Sequence, residues 1–169
     1  MKLSVTVLAI SVVAALAMGS NIIAGAATLS ADDKKFIIST AQAGMTEVKL
    51  GEIAKQKVKS DAAREFAESM MADHKRANAK LRAIAEKKGL EVPTTFDSEH
   101  QALVDKFIAM DKTGFERFYA NQIVADQRKL LASLEIQSGK GDIDLQKFSK
   151  ETIPAIKNHL RMAEKLNAL

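Results

Sequence analysis

Apolar residues in this chain recur every three to four positions along four long stretches, and no stretch alternates with period two for long enough to form a strand. Ser30, with Asp33 three residues on, reads as an N-cap from which helical periodicity runs to Val58. Ser60 opens a second stretch that closes on Lys87, Lys88 and Gly89: basic residues for the helix dipole, then a glycine for the left-handed turn. "LEVPTTFD" is a loop. Ser98 and Gln101 form a capping box for a short helix reaching Met110, and Thr113 and Glu116 another for a helix reaching Gln137. After the turn "SGKGD" a last helix spans 142–167. Pro154 in that helix lacks an N–H and crowds the carbonyl of Lys150, so a kink or a fresh start is expected there. Four long amphipathic helices joined by short loops bury their stripes most simply as an all-α four-helix bundle, with the short helix in the central connection.

Plotting each helix at 100° per residue puts a polar misfit on every apolar face. Glu47 lies among Phe36, Thr40, Gly44, Gly51, Ala54 and Val58, the two glycines allowing a neighbouring helix to come close. His74 lies among Phe66, Met70, Leu81 and Ala85. Asp126 falls on the face of Phe115, Tyr119, Ile123, Leu130 and Leu134, with Gln127 at its edge. His159 is surrounded by Leu145, Phe148, Ile156 and Ala163. A buried carboxylate costs several kcal/mol unless it is paired or bound to a cation. Four such groups, one per helix at similar depth, are therefore expected to meet. Two arrangements satisfy them. One is a structural network in which Glu47 and Asp126 accept from the histidines. The other is a transition-metal site (zinc, iron or copper) built on Glu47, His74, His159 and Asp126, with Gln127 as a non-metal partner. Met70, Met71 and Met162 near the histidines would suit copper, since thioethers favour Cu(I).

The first thirty residues carry a different signal. Lys2, an apolar run from Leu3 to Met18, and the small residues Ala24-Gly25-Ala26 fit a signal peptide, residues 1–26, cleaved after Ala26. With no charge between Lys2 and Asp32, an uncleaved membrane anchor is the alternative. Cleavage would leave a bundle at 30–167 with no stable membrane span, in the periplasm or the medium. The absence of cysteine excludes disulfides, thiolate metal sites and a lipoprotein anchor. The net charge of +4 is spread as interleaved acidic and basic residues, which marks solvated helix faces rather than a nucleic-acid stripe. No Ser/His/Asp arrangement, phosphate loop or HExxH motif occurs, and His100 in "FDSEHQ" reads as solvent-exposed. The expectation is a protein that is not an enzyme.

The segments "AQAGMTEVKLGEIAKQK", "FAESMMADHKRANAKLRAIAEKKGLEVPT", "FERFYANQIVADQRKLL" and "TIPAIKNHLRMAE" together resemble the bacterial exported proteins catalogued as domain-of-unknown-function family 4142. The resemblance runs from Asp33 through most of the chain. It implies a ferritin-like bundle and export. Members typically carry an Asp-His pair in both halves and Pro-x-x-x-x-His in the last helix. This chain has Asp73-His74 and Pro154 with His159, but Asp126 is followed by Gln127, a poor ligand for most transition metals. "MMADHKRANAKL" and "IVADQRKLLASL" thus form an echo that has lost a histidine, and they suggest two related helical hairpins. A ferroxidase is not implied, because di-iron bundles need Glu-x-x-His on two helices, and Met71 and Ile156 stand where those glutamates would be. Two functions follow from the residues: a non-catalytic envelope protein that binds a metal ion through Glu47, His74 and His159, or a structural module that binds another envelope protein.

Overall fold

The computed structural model describes residues 28–168. The expected signal peptide at 1–26 lies outside the described residues. Five helices follow one another: α1 (Ala31–Lys57), α2 (Asp61–Lys87), α3 (Ser98–Ala109), α4 (Phe115–Gln137) and α5 (Ile143–Asn167), with no strand among the described residues. The fold is a ferritin-like four-helix bundle with a short extra helix in the central connection. α1 packs on α2 and α4 on α5 as two hairpins, which meet through the α2–α5 and α1–α4 contacts, while α3 lies on α1. The two echoing segments fall in the second helix of one hairpin and the first helix of the other. A simple duplication of hairpins would not produce that order, so that expectation is corrected.

The caps show where local signals were read correctly and where tertiary structure redirected them. Ser30 and Asp33 form the expected capping box, Ser60 caps α2, and Gly89 takes a φ of 70° after it. The short helix is capped by Asp97 rather than Ser98, its carboxylate accepting from the His100 N–H at 2.9 Å. Thr113 and Glu116 form no box. α4 starts at Gly114 without a side-chain cap. Glu116 instead reaches across to the α1–α2 corner and accepts from the N–H groups of Lys59 and Ser60, at 3.0 and 3.1 Å. Pro154 causes no fresh start, since α5 runs unbroken from Ile143 to Asn167 with the proline ring on its exposed side.

Two clips hold α3 and the loop before it against α1. The Gln42 amide donates to the Thr95 carbonyl at 3.0 Å and accepts from the Asp97 N–H at 3.3 Å. Lys57 donates to the carbonyls of Phe107, Ile108 and Met110, the orphan acceptors at the end of α3. No described helix is long and apolar enough to cross a membrane.

The interior is divided in two. One apolar cluster joins Leu50, Phe66, Met70, Phe107, Tyr119 and Ile123 at the end of the bundle where α3 packs. The other joins Phe36, Ile37, Leu81, Leu134, Leu145 and Phe148 at the far end. Glu47, His74, Gln127 and His159, all buried, occupy the layer between them.

Gly51 borders that layer on α1. A Cβ there would meet Cγ of Met71 on α2, with the Met71 sulfur at 3.0 Å and the Ala67 carbonyl at 3.4 Å. Met71 would have to change rotamer from near its root, not merely swing its tip. Gly51→Leu is therefore expected to overpack the α1–α2 contact and cost roughly 1–3 kcal/mol, despite leucine's better helix propensity. Thermal denaturation checks this: a melting temperature equal to or above that of the unaltered protein would refute the close contact.

Candidate functional site

Position on the helix decides which polar groups reach the central layer. Glu47 is one turn before Gly51 on α1, and its carboxylate projects between α2 and α4. Oε2 lies 2.7 Å from His74 Nε2, and Oε1 accepts from the Gln127 amide at 2.7 Å. The same amide nitrogen is 3.2 Å from His74 Nε2. The echo positions of the two related segments thus touch each other. The His74–Glu47 contact is short but not aligned as a hydrogen bond, so Oε2 keeps a lone pair without a partner. Gln127 Oε1 is also buried and unpartnered.

His159 is fully buried on α5, and its ring centroid lies 5.4 Å from that of His74, with the planes inclined at 36°. It does not bond to Glu47. Nε2 donates to Asp73 Oδ2 at 2.9 Å, and Nδ1 has no partner. Asp73 is the residue that the pattern of apolar faces did not point to, because it lies off the core face of α2. Its adjacency to His74 was the available signal: 100° around the helix, it faces α5 while His74 faces α1 and α4.

Asp126 and Gln127 exchange the positions expected of them. Gln127 is the buried one, and Asp126 is only half-buried, its carboxylate accepting from the Gln122 amide at 3.0 and 3.1 Å. Asp126 lines a separate cleft between α1, α3 and α4. His100, expected to be exposed, is half-buried beside that cleft with Nδ1 2.7 Å from Asp97. The three methionines are engaged elsewhere: Met70 sulfur 4.0 Å from the Tyr119 hydroxyl, Met71 under Gly51, and Met162 3.5 Å from the Asn158 amide.

The environments set the protonation states. Burial opposes a charge on His74, but the negative charge of Glu47 in close contact, helped by Asp73, outweighs it and raises its pKa above the usual imidazole value. Burial dominates at His159 and lowers its pKa, although the bond to Asp73 works the other way. His159 is therefore the neutral imidazole, protonated on Nε2 toward Asp73 and carrying its lone pair on Nδ1. Asp126 is pushed up to about 6, chiefly by burial and also by the negative charge of Glu47, against the opposing bond from Gln122.

Chemically, the layer offers one carboxylate, two imidazoles and an amide oxygen. Among the described residues, no three carboxylate or imidazole groups are arranged as a ready cation cage. What is present is a Glu47–His74 pair in close contact, with the Gln127 amide donating to Glu47, beside a histidine with a free ring nitrogen.

The family model "Domain of unknown function (DUF4142)" matches residues 20–166. The chain belongs to the DUF4142 family. No curated protein matches it. Among solved structures, the crystal structure of a DUF305 fragment from Deinococcus radiodurans is similar, with a TM-score of 0.73 at 12% identity over 84% of this chain and 99% of that one. At that identity the likeness concerns the fold alone. DUF4142 membership carries no assigned chemistry, so the functional reading rests on the side chains.

Proposed function

We propose that this chain is an exported, non-catalytic helical bundle of the bacterial cell envelope that holds one transition-metal ion, zinc, iron or copper, through Glu47, His74 and His159. The observation that carries this reading is His159. A metal-ligating histidine nearly always donates its far N–H to a carboxylate, which fixes the tautomer and leaves the other nitrogen free for the ion. His159 has that carboxylate in Asp73, and its buried Nδ1 has no partner. An unpartnered lone pair in a dry core is costly unless something uses it.

Glu47 and His74 fit the role with a small adjustment. Two ligands of a tetrahedral ion at about 2.1 Å stand roughly 3.4 Å apart, so the pair now at 2.7 Å would open slightly. The ion would take the place of the proton on His74 Nε2, and binding would release that proton. Gln127 could turn its amide to present oxygen, a weaker ligand than the histidine that its echo position retains. The engagement of Met70, Met71 and Met162 elsewhere favours zinc or iron over Cu(I). The N-terminal leader, residues 1–26, supports export, and the interleaved surface charge supports neither nucleic acid nor a strongly charged partner.

Thermal melting with and without Zn²⁺, Cu²⁺ or Fe²⁺ tests the proposal. An ion that binds only the native state at 100 times its Kd stabilises by about 2.7 kcal/mol, which should appear as a clear rise in melting temperature. The His74→Ala/His159→Ala double variant should lose that rise. A second reading is favoured by the mutual contact of Glu47, His74 and Gln127: a structural polar layer in a module that binds another envelope protein. It predicts no metal-dependent shift in either protein.

A further inference from the structure

The cleft between α1, α3 and α4 is separate from the His74–His159 pair and is not accounted for by the metal reading. It encloses about 360 Å³, within the range of small-molecule sites. Ala43, Leu103 and Leu130 give it apolar walls, and Thr40, Glu47 and Asp126 are polar residues that line the same space. Thr40 is 7% exposed, and its hydroxyl has no hydrogen-bond partner, although a helical threonine can usually bond the carbonyl one turn back, as Thr46 does to Gln42 at 2.9 Å. Asp126 receives one donor, the Gln122 amide, for its two oxygens. A carboxylate has about four acceptor sites, so most of its capacity toward the cleft is unused.

We propose that this cleft binds a small molecule carrying a primary ammonium group on a short apolar body, with Asp126 as the charge partner. Three features select that chemistry. The unused groups, the Asp126 carboxylate and the Thr40 hydroxyl oxygen, can both accept, and an ammonium brings three donors. Glu47 and Glu99 add negative charge to that of Asp126, while the basic residues that line the space are Lys129, on its exposed edge, and His100, already paired with Asp97. The apolar walls suit a hydrocarbon body rather than a hydrated metal ion, which would need several oxygen ligands converging on one point. The clips from Gln42 and Lys57 hold α3 over α1, so the cleft is preformed instead of depending on closure.

Two probes, 2-phenylethylamine and butylamine, titrated into the purified protein and followed by amide NMR, test the assignment, with butyrate as the anionic counterpart. The expected result is saturable shifts confined to the segments around Ala43, Leu103 and Asp126, with a Kd of about 1 mM or tighter for the aromatic amine. Butyrate should leave those signals unmoved. Asp126→Asn, an isosteric change at a half-buried position, should weaken amine binding by about tenfold or more. Ala43→Leu, which fills the wall, should abolish it while both variants keep the wild-type spectrum elsewhere. Equal binding of butyrate and butylamine, an unaltered affinity in Asp126→Asn, or no saturable shift with either amine would overturn the proposal. The titrations use metal-free protein, because Glu47 lines the cleft and is also one of the proposed metal ligands, whereas Asp126 and Ala43 belong to the cleft alone.

Discussion

Glu47→Ala should destabilise the protein by roughly 3–5 kcal/mol, because it strips a buried ion pair of one member and leaves the other without a partner. In the native layer the carboxylate serves two neighbours, the His74 imidazole at 2.7 Å and the Gln127 amide at 2.7 Å. Alanine would leave both facing a cavity in a region where all three residues are essentially inaccessible to water. His74 would then lose the attraction that raises its pKa and would fall back to the neutral form that burial favours. Replacing the whole group behaves differently. Glu47→Met, His74→Leu and Gln127→Met together remove the desolvated charges and join the two apolar clusters into one. That triple variant should be at least as stable as the unaltered protein, as buried polar groups exchanged for hydrocarbon of similar volume often are. Chemical denaturation of both variants decides the point. If Glu47→Ala is nearly neutral, the layer is not a desolvated pair. A destabilised triple variant would mean that the polar contacts contribute more than packing could.

The second large effect belongs to the far end of the bundle. Asp33 begins as a local cap for α1 and becomes a junction of three helices. Its carboxylate accepts from the Ser30 N–H and hydroxyl, from the Gln137 amide of α4 at 2.9 Å, and from the Asp142 N–H at the start of α5 at 3.1 Å. Gly141, with a φ of 80°, passes so close that a Cβ would strike Asp33 Oδ1. Asp33→Ala should cost about 3 kcal/mol, the sum of a lost cap and of buried donors left unpaired. Gly141→Ala should be destabilising as well, through both the backbone angle and the collision. Burial works against the Asp33 charge, but its hydrogen bonds outweigh it and lower the pKa below the ordinary 3.8. A lowered folded-state pKa gives stability that is present above the unfolded value and is lost as pH falls through the folded one. Acid should therefore narrow the difference between the Asp33→Ala variant and the unaltered protein, and denaturation curves at pH 7 and pH 3 measure it. A difference that stays constant would contradict the charged-junction role.

The helices were legible in the sequence because each long stripe repeats with the helical period for about seven turns, well beyond what loop composition could mimic. The core faces of α1, α2 and α5 were equally legible, since Glu47, His74 and His159 sit among large apolar neighbours on both sides. On α4 the reading slipped by one residue. Asp126 and Gln127 are 100° apart, and the apolar stripe of Ile123, Leu130 and Leu134 admits either at its margin; the neutral amide is the one that can be buried beside a carboxylate. The cap at Glu116 was misread for another reason. A capping box is a local pattern, and nothing local reveals that the glutamate has a better set of donors at the α1–α2 corner, 56 residues away in sequence from Ser60. Asp73 follows the same logic. Its partner lies 86 residues further along, and only the packing of α2 on α5 brings the two together.

The proposed metal centre makes its most direct prediction for the ion itself. Protein loaded with one equivalent of Zn²⁺ and freed of excess metal should give a zinc X-ray absorption spectrum with two imidazole nitrogens and carboxylate oxygen at about 2.0–2.2 Å. His159→Ala should remove one imidazole from that shell while Glu47 and His74 remain. Failure to retain zinc after desalting, or a shell of oxygen alone, would contradict the centre and leave Glu47, His74 and Gln127 as a structural layer.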